Sequence, residues 1–278
     1  MNALRSVLVH LDGSPRSAER LHVARSLAAA QGATVTAMLA ANPALVEVPL
    51  SYLGDAGGAL LLQEAEAQRT RDARALFDRE NARPGPTMRW HDPPQSSPAI
   101  SAFSERALLS DLTVLGQHDR HDPLSWGVPR DFVPAVLAAS GRPGLVVPAA
   151  GPFGLVGLRI LVAWKPTREA AHAVTAALPL LTCAQTVRVV MWEEPDTFAP
   201  RAEGLADFLS LHGVQAHFDR AGPATGPVGE LLLSRTADAE ADLLVMGCYG
   251  HARAREWLLG GVTRTVLKSM PLPVLMAH

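Results

Sequence analysis

Lysine is nearly absent from this 278-residue chain: Lys165 and Lys268 are the only two lysines among 25 basic residues, and the rest are arginine. That skew reads as the mark of a GC-rich genome rather than of a function. Cysteine is equally scarce. Cys183 and Cys248 show no Cys-x-x-Cys spacing, which excludes a disulfide framework and a cysteine-built zinc site and favours a reducing compartment. No stretch approaches the roughly 18 uninterrupted apolar residues of a membrane helix, and the first residues lack the apolar core of a signal peptide. The expectation is a cytoplasmic protein with no membrane partner. Charge of either sign is not in excess: a formal net charge of -2 gives no global field to gather nucleic acid.

What is present is apolar. Hydrophobic residues make up 48% and charged residues 19%, a balance that excludes intrinsic disorder and supplies substantial cores. The length is about twice that of one domain, and the chain reads as two similar halves. Leu4-Arg5-Ser6-Val7-Leu8-Val9-His10 precedes Asp12-Gly13-Ser14 and a helical stretch over 15–31. Leu158-Arg159-Ile160-Leu161-Val162-Ala163 precedes Lys165-Pro166-Thr167 and a helical stretch over 168–182. β-Branched runs follow at 33–39 and 186–192. Later in each half an acidic residue, four apolar residues and a glycine recur: Asp111-Leu112-Thr113-Val114-Leu115-Gly116 and Asp242-Leu243-Leu244-Val245-Met246-Gly247. Each half closes with a helix and a last apolar strand, at 144–148 and 273–277.

Continuous apolar runs alternating with amphipathic helices indicate parallel strands covered on both faces. The predicted fold class is therefore α/β, two tandem Rossmann-like domains, each a doubly wound five-stranded parallel sheet. The first spans 1–150 and the second 155–278, with Gly151-Pro152-Phe153-Gly154 as the linker. An insertion over 42–62 leads into a charged helix over 63–79, in which Arg69, Arg71, Arg74 and Arg79 alternate with Glu64, Glu66, Asp72, Asp78 and Glu80. That pattern reads as a solvated face with i,i+4 pairing.

Ligands of such sheets bind beyond the carboxyl ends of the strands. In the second half the loop there carries Gly247, Gly250 and Gly260 at Gly-x2-Gly-x9-Gly spacing, with His251, Arg253 and Arg255 between them and Gly261, Val262 and Thr263 after. Glycines let backbone N–H groups close on a phosphate at the start of a helix, where a Cβ would block the approach. The competing reading is a turn needed only for tight strand–helix packing.

This loop, its flanking strand and the ending Pro271-Leu272-Pro273-Val274-Leu275-Met276 resemble the universal stress protein family. The opening Val7-Leu8-Val9-His10-Leu11-Asp12-Gly13-Ser14 is similar to that family's first strand and loop. The resemblance spans both halves and so implies a tandem member, cytoplasmic, acting in the stress response as a binding or regulatory module. It further implies that ATP or another adenine nucleotide, with or without Mg2+, binds at Gly247, Gly250, His251, Gly260, Gly261 and Val262, with Lys165, Pro166 and Thr167 from the loop after strand one. The two domains would form a pseudo-dimer within the chain, and a homodimer of chains is a further option.

The sequence departs from the family pattern at three points. Gly261 stands where Ser or Thr is expected, which loses a hydroxyl worth on the order of 1.5–3 kcal/mol against a charged phosphate. Lys165 stands where the first half has Asp12, and a lysine accepts no hydrogen bond from ribose or adenine. The first half keeps Asp12 but reads Gln117-His118-Asp119 after Gly116, a carboxylate where the second glycine belongs. The second half is thus the expected nucleotide site and the first is not. The alternatives are an interaction scaffold with both sites vestigial and a slow ATP hydrolase or nucleotidyl transferase. No Walker lysine or magnesium-holding carboxylate pair supports the latter, and no catalytic residue is assigned.

Other constellations carry less. His118-Asp119-Arg120-His121-Asp122 could clip a metal but reads better as a polar loop. Ser14 and Thr167 read as helix caps, and Cys248 as a packing residue.

Overall fold

A computed structural model of the chain describes residues 3–42, 56–93, 98–119, 127–192, 195–248 and 261–278. The apolar runs form strands and the periodic segments between them form helices, alternating within each half, while the last strand of the first half is followed directly by the first strand of the second. The first half contains β1 (Ser6–Leu11), α1 (Ser17–Gln31), β2 (Thr34–Leu39), α2 (Ala56–Asn81), β3 (Met88–His91), α3 (Ala99–Ala107), β4 (Leu112–Gly116), α4 (Phe132–Ser140) and β5 (Gly144–Val147). The second contains β6 (Arg159–Ala163), α5 (Arg168–Leu181), β7 (Thr186–Met191), α6 (Pro195–Leu211), β8 (His217–Arg220), α7 (Val228–Asp238), β9 (Leu243–Gly247), α8 (Gly261–Ser269) and β10 (Val274–Ala277).

The strands build one sheet in the order β3-β2-β1-β4-β5-β10-β9-β6-β7-β8. Within each half all pairings are parallel, and the halves meet where β5 runs antiparallel to β10, with Val146 opposite Val274 and Leu145 opposite Leu275. The α/β fold is as read from the sequence, but the two five-stranded sheets are fused into a continuous one. Because the seam is antiparallel, the carboxyl ends of the first half's strands and those of the second point to opposite ends of the sheet.

Side chains alternate between the two faces. Val7, Val9 and Leu11 of β1 join one buried cluster with α1, α2, α5 and α6, while Leu8 joins another with α3, α4, α7 and α8. Helix α1 buries Leu21, Ala24, Leu27 and Ala28 at helical spacing and stops at Gly32, whose φ of 67° and N–H to the Ala28 carbonyl make a left-handed C-cap. Arg25 of α1 donates to the carbonyls of Glu80, Arg83 and Pro86 and so ties down the end of α2 and the turn after it.

Two equivalent carboxylates fix where the first strand of each half starts. Asp111 accepts the N–H groups of Arg5 and Ser6, each at 2.9 Å. Asp242 accepts those of Gly157, Leu158 and Arg159 at 2.7, 3.1 and 2.9 Å. The recurring acid of the sequence repeat is therefore a strand anchor. Partial burial pushes the Asp111 carboxyl upward, but the N–H donors of Arg5 and Ser6 and the Ser6 hydroxyl outweigh it and hold it below the usual carboxylate range.

Two sequence readings need correction. Helix α2 begins at Ala56, not at residue 63. Its charged residues are not all solvated: Arg69 is half-buried and donates to the Asn42 carbonyl at 2.7 Å, and Glu80 is buried and pairs with Arg83 at 2.8 Å. The exposed Arg74 lies over Phe77 and Trp90, 5.6 and 5.1 Å from the ring centres. Asp78 does make the expected i,i+4 pair with Arg74, at 3.4 Å.

Candidate functional site

The strand registers superimpose the halves. Val9 pairs with Val114 as Val162 pairs with Val245, so Asp12 and Lys165 are equivalent, as are Ser14 and Thr167, Gly116 and Gly247, and Gln117 and Cys248. The two carboxyl-end sites can be compared residue by residue.

In the first half Asp12 is buried at 6% exposure. One carboxylate oxygen accepts from the Ser14 N–H at 3.0 Å, the Ser14 hydroxyl at 2.7 Å, the Ser17 hydroxyl at 2.9 Å and Arg20 Nη2 at 2.6 Å. Burial pushes the Asp12 carboxyl upward, but the Arg20 guanidinium and the hydroxyl donors hold it well below the usual range. Arg20 is 4% exposed and lies against Gly116, where a Cβ would collide with its guanidinium. The opening at this end is lined by Asp12, Ser14, Arg16, Arg20, Gln117 and Asp119 among others. Its enclosed part has room for about one water molecule, far below the several hundred Å³ of a small-molecule site. These residues do not fit a nucleotide. Asp12, the acid that the first half keeps after its first strand, is consumed by Arg20, eight residues on, in line with the expectation that the first half is not the nucleotide site.

Ser14 does not cap α1. Its hydroxyl donates to Asp12, and the helix starts after Arg16 without a side-chain cap. Thr167 does cap α5, accepting the Ala170 N–H at 3.3 Å.

In the second half Lys165 and Pro166 are exposed and Thr167 half-buried. Glu169, in the first turn of α5, is buried, and its carboxyl is held low chiefly by its own backbone N–H, helped by Thr167 and Arg168, against the opposing effect of burial. A Cβ on Gly247 would stand 2.5 Å from the Ala170 nitrogen and 2.6 Å from the Glu169 carbonyl carbon. The glycine lets β9 and the N-terminus of α5 touch, the packing reading of that position. Cys248 is 2% exposed and donates to the Ala277 carbonyl at 3.3 Å. Burial pushes its thiol up to about 12, so it is a packing residue.

Gly261 opens α8, is exposed, and has nothing among the described residues within 4 Å of where a Cβ would be; Val262 is half-buried beside it. Gly250, His251 and Gly260 lie outside the described residues, as do Arg253, Arg255 and residues 120–122 of the His–Asp loop. Among the described residues, the exposed Lys165 ammonium and the first N–H groups of α8 suit a phosphate, whereas Lys165 offers no acceptor to a ribose. Among the described residues no group of three metal-ligating side chains occurs and no helix is long and apolar enough to cross a membrane. The signal that sequence reading missed was Arg20, whose i,i+3 relation to Ser17 put it beside the acid.

The model of the universal stress protein family matches residues 220–278, which contain β9, the glycine loop, α8 and β10. No curated protein matches the chain. Three solved structures share the fold over nearly the whole length. A universal stress protein from Archaeoglobus fulgidus DSM 4304 is 16% identical with a TM-score of 0.69, covering 98% of this chain and 95% of its own. A putative universal stress protein from Pseudomonas aeruginosa UCBPP-PA14 is 18% identical with a TM-score of 0.59, covering 99% and 93%. A functionally unknown protein from Pseudomonas aeruginosa PAO1 is 17% identical with a TM-score of 0.57, covering 99% and 92%.

Proposed function

We propose that this chain, a universal stress protein by its residues 220–278, works in the cytoplasm as a stress-response binding or regulatory module with two tandem domains, 1–150 and 155–278. Its ligand is ATP or another adenine nucleotide, with Mg2+ as counter-ion, held in the second domain on the Gly247–Gly261 loop with Lys165, Pro166 and Thr167 at the rim. The observation that carries this reading is the contrast between the two equivalent ends. Asp12 is buried under Arg20, whereas its equivalent Lys165 is exposed, and so is Gly261 at the start of α8. An ammonium and the first N–H groups of a helix both favour a phosphate.

The test is mass spectrometry of small molecules released on denaturation, followed by titration with MgATP. The expected result is saturable binding that Gly250→Asp abolishes, because a carboxylate would then face the phosphates. Binding unchanged by that substitution would mean another site.

The scaffold reading also has an observation in its favour: Gly247 is explained by packing against α5 alone. Absence of binding at millimolar ATP would select it. Phosphate release well above background would instead select the hydrolase.

A further inference from the structure

Gln117 follows β4 and lines the mouth of the first half's site. Its backbone N–H bonds to the Val147 carbonyl at 2.8 Å, and its equivalent Cys248 bonds likewise to Ala277 at 2.9 Å. The side chains then diverge. Cys248 turns back to Ala277 within its own half. Gln117 reaches across the seam: its amide nitrogen donates to the Leu267 carbonyl at 2.9 Å, and its amide oxygen accepts the Ala149 N–H at 2.9 Å. Leu267 belongs to the last turn of α8, where carbonyls have no partner inside the helix.

The antiparallel seam is what makes this reach available. Helix α8 starts at the carboxyl ends of the second half's strands and runs back, so its last turn arrives at the carboxyl ends of the first half's. Its nine residues span about 13 Å at 1.5 Å per residue. Only Thr263 and Val266 within it are buried. Its middle presses on α7 at one close crossing, where a Cβ on Gly229 would stand 2.7 Å from Thr265 Cβ. A short rigid rod with a narrow buried stripe, one tight crossing and a hydrogen bond holding its far end transmits displacement from end to end, since packed elements shift as units.

We infer that Gln117 is a positioning residue for α8, tying the first half's mouth to the Gly261 end of the second half's loop. The inference rests on the reading of that loop as the phosphate-holding end. Gln117 touches no ligand; it sets where the first turn of α8 stands. The second half has no counterpart to this link at Cys248, whose thiol bonds within its own half.

Two variants test it. Gln117→Leu removes both side-chain bonds. Gln117→Glu keeps an oxygen for the Ala149 N–H but sets a carboxylate against the Leu267 carbonyl. Hydrogen exchange on the nucleotide-free protein is the first readout. Both variants should speed exchange at Thr265 and Val266, toward the loop end, and not only in residues 268–270. MgATP titration is the second: affinity should fall about fivefold in both, with melting temperatures close to that of the unaltered chain.

Acceleration confined to the last turn, or unaltered affinity in a protein that does bind MgATP, overturns the inference. If the unaltered chain binds no MgATP yet exchange at Thr265 still accelerates, the nucleotide reading falls and the link stands. If neither changes, both fall.

Discussion

At the scale of single residues, the first half's site is governed by buried charge. His10 sits one residue before the end of β1, 1% exposed, with its ring edge-on to Phe103 and 4.2 Å from the centre of Phe132. Its Nε2 faces the Ala40 carbonyl at 2.8 Å. A carbonyl only accepts, so that nitrogen donates, and Nδ1 is left without a hydrogen bond. Burial and then the nearby Arg20 guanidinium push the ring's pKa down from 6.5 to about 4, outweighing the upward pull of Asp12 and of the Ala40 carbonyl. Folding therefore keeps His10 neutral where the unfolded chain takes up a proton. Stability is full above pH 6.5 and is lost as the pH falls toward 4, by about 3 kcal/mol in total. Asp12, whose pKa is depressed by its partners, adds its own loss only below the ordinary carboxylate range. His10→Gln keeps a donor for Ala40 but cannot titrate. Urea unfolding at pH 7 and 4.5 should show a much smaller loss in the variant, and equal losses would rule out this origin.

At the scale of elements, strand, turn and helix positions were legible because each rests on a local period: continuous apolar runs for two-sided strands, helical spacing for α1 and α5. Boundaries agree to within a residue or two except at α2, whose charged surface hides a start at Ala56. The site was less legible, because its determinants cross between elements. Asp12 and Gly247 lie at the carboxyl ends of β1 and β9, as their places in the sequence repeat imply, but nothing local says that Arg20 turns back onto the first or that the backbone of α5 fills the space above the second. The same distinction separates two glycines of one motif. Gly247→Ala forces a methyl against the backbone at Ala170 and Glu169, atoms that cannot swing aside, and should cost about 2–3 kcal/mol in thermal or urea unfolding. Gly261→Ser meets nothing among the described residues and restores the hydroxyl of the family pattern. It should leave stability unchanged and tighten MgATP binding by about tenfold in calorimetric titration.

At the scale of the whole molecule, the seam decides what the two halves can be. Strands β5 and β10 are buried along their entire length, and each is the terminal strand of its own parallel set. Separating the halves would expose β10 as a bare apolar edge with unpaired N–H and C=O groups, which a lone domain cannot leave in water without pairing. Its partner in the chain is antiparallel, with Leu145 and Leu275 opposite each other. An antiparallel contact of that kind can also be made by two copies of one strand about a two-fold axis. The fragment 155–278 expressed alone should therefore sediment as a dimer at micromolar concentration. Leu275→Lys, which sets a charge in the buried cluster at that edge strand, should return it to monomer or prevent its folding. A monomeric unaltered fragment would mean that β10 is protected by its own half, and that the ten-stranded sheet depends on features peculiar to β5.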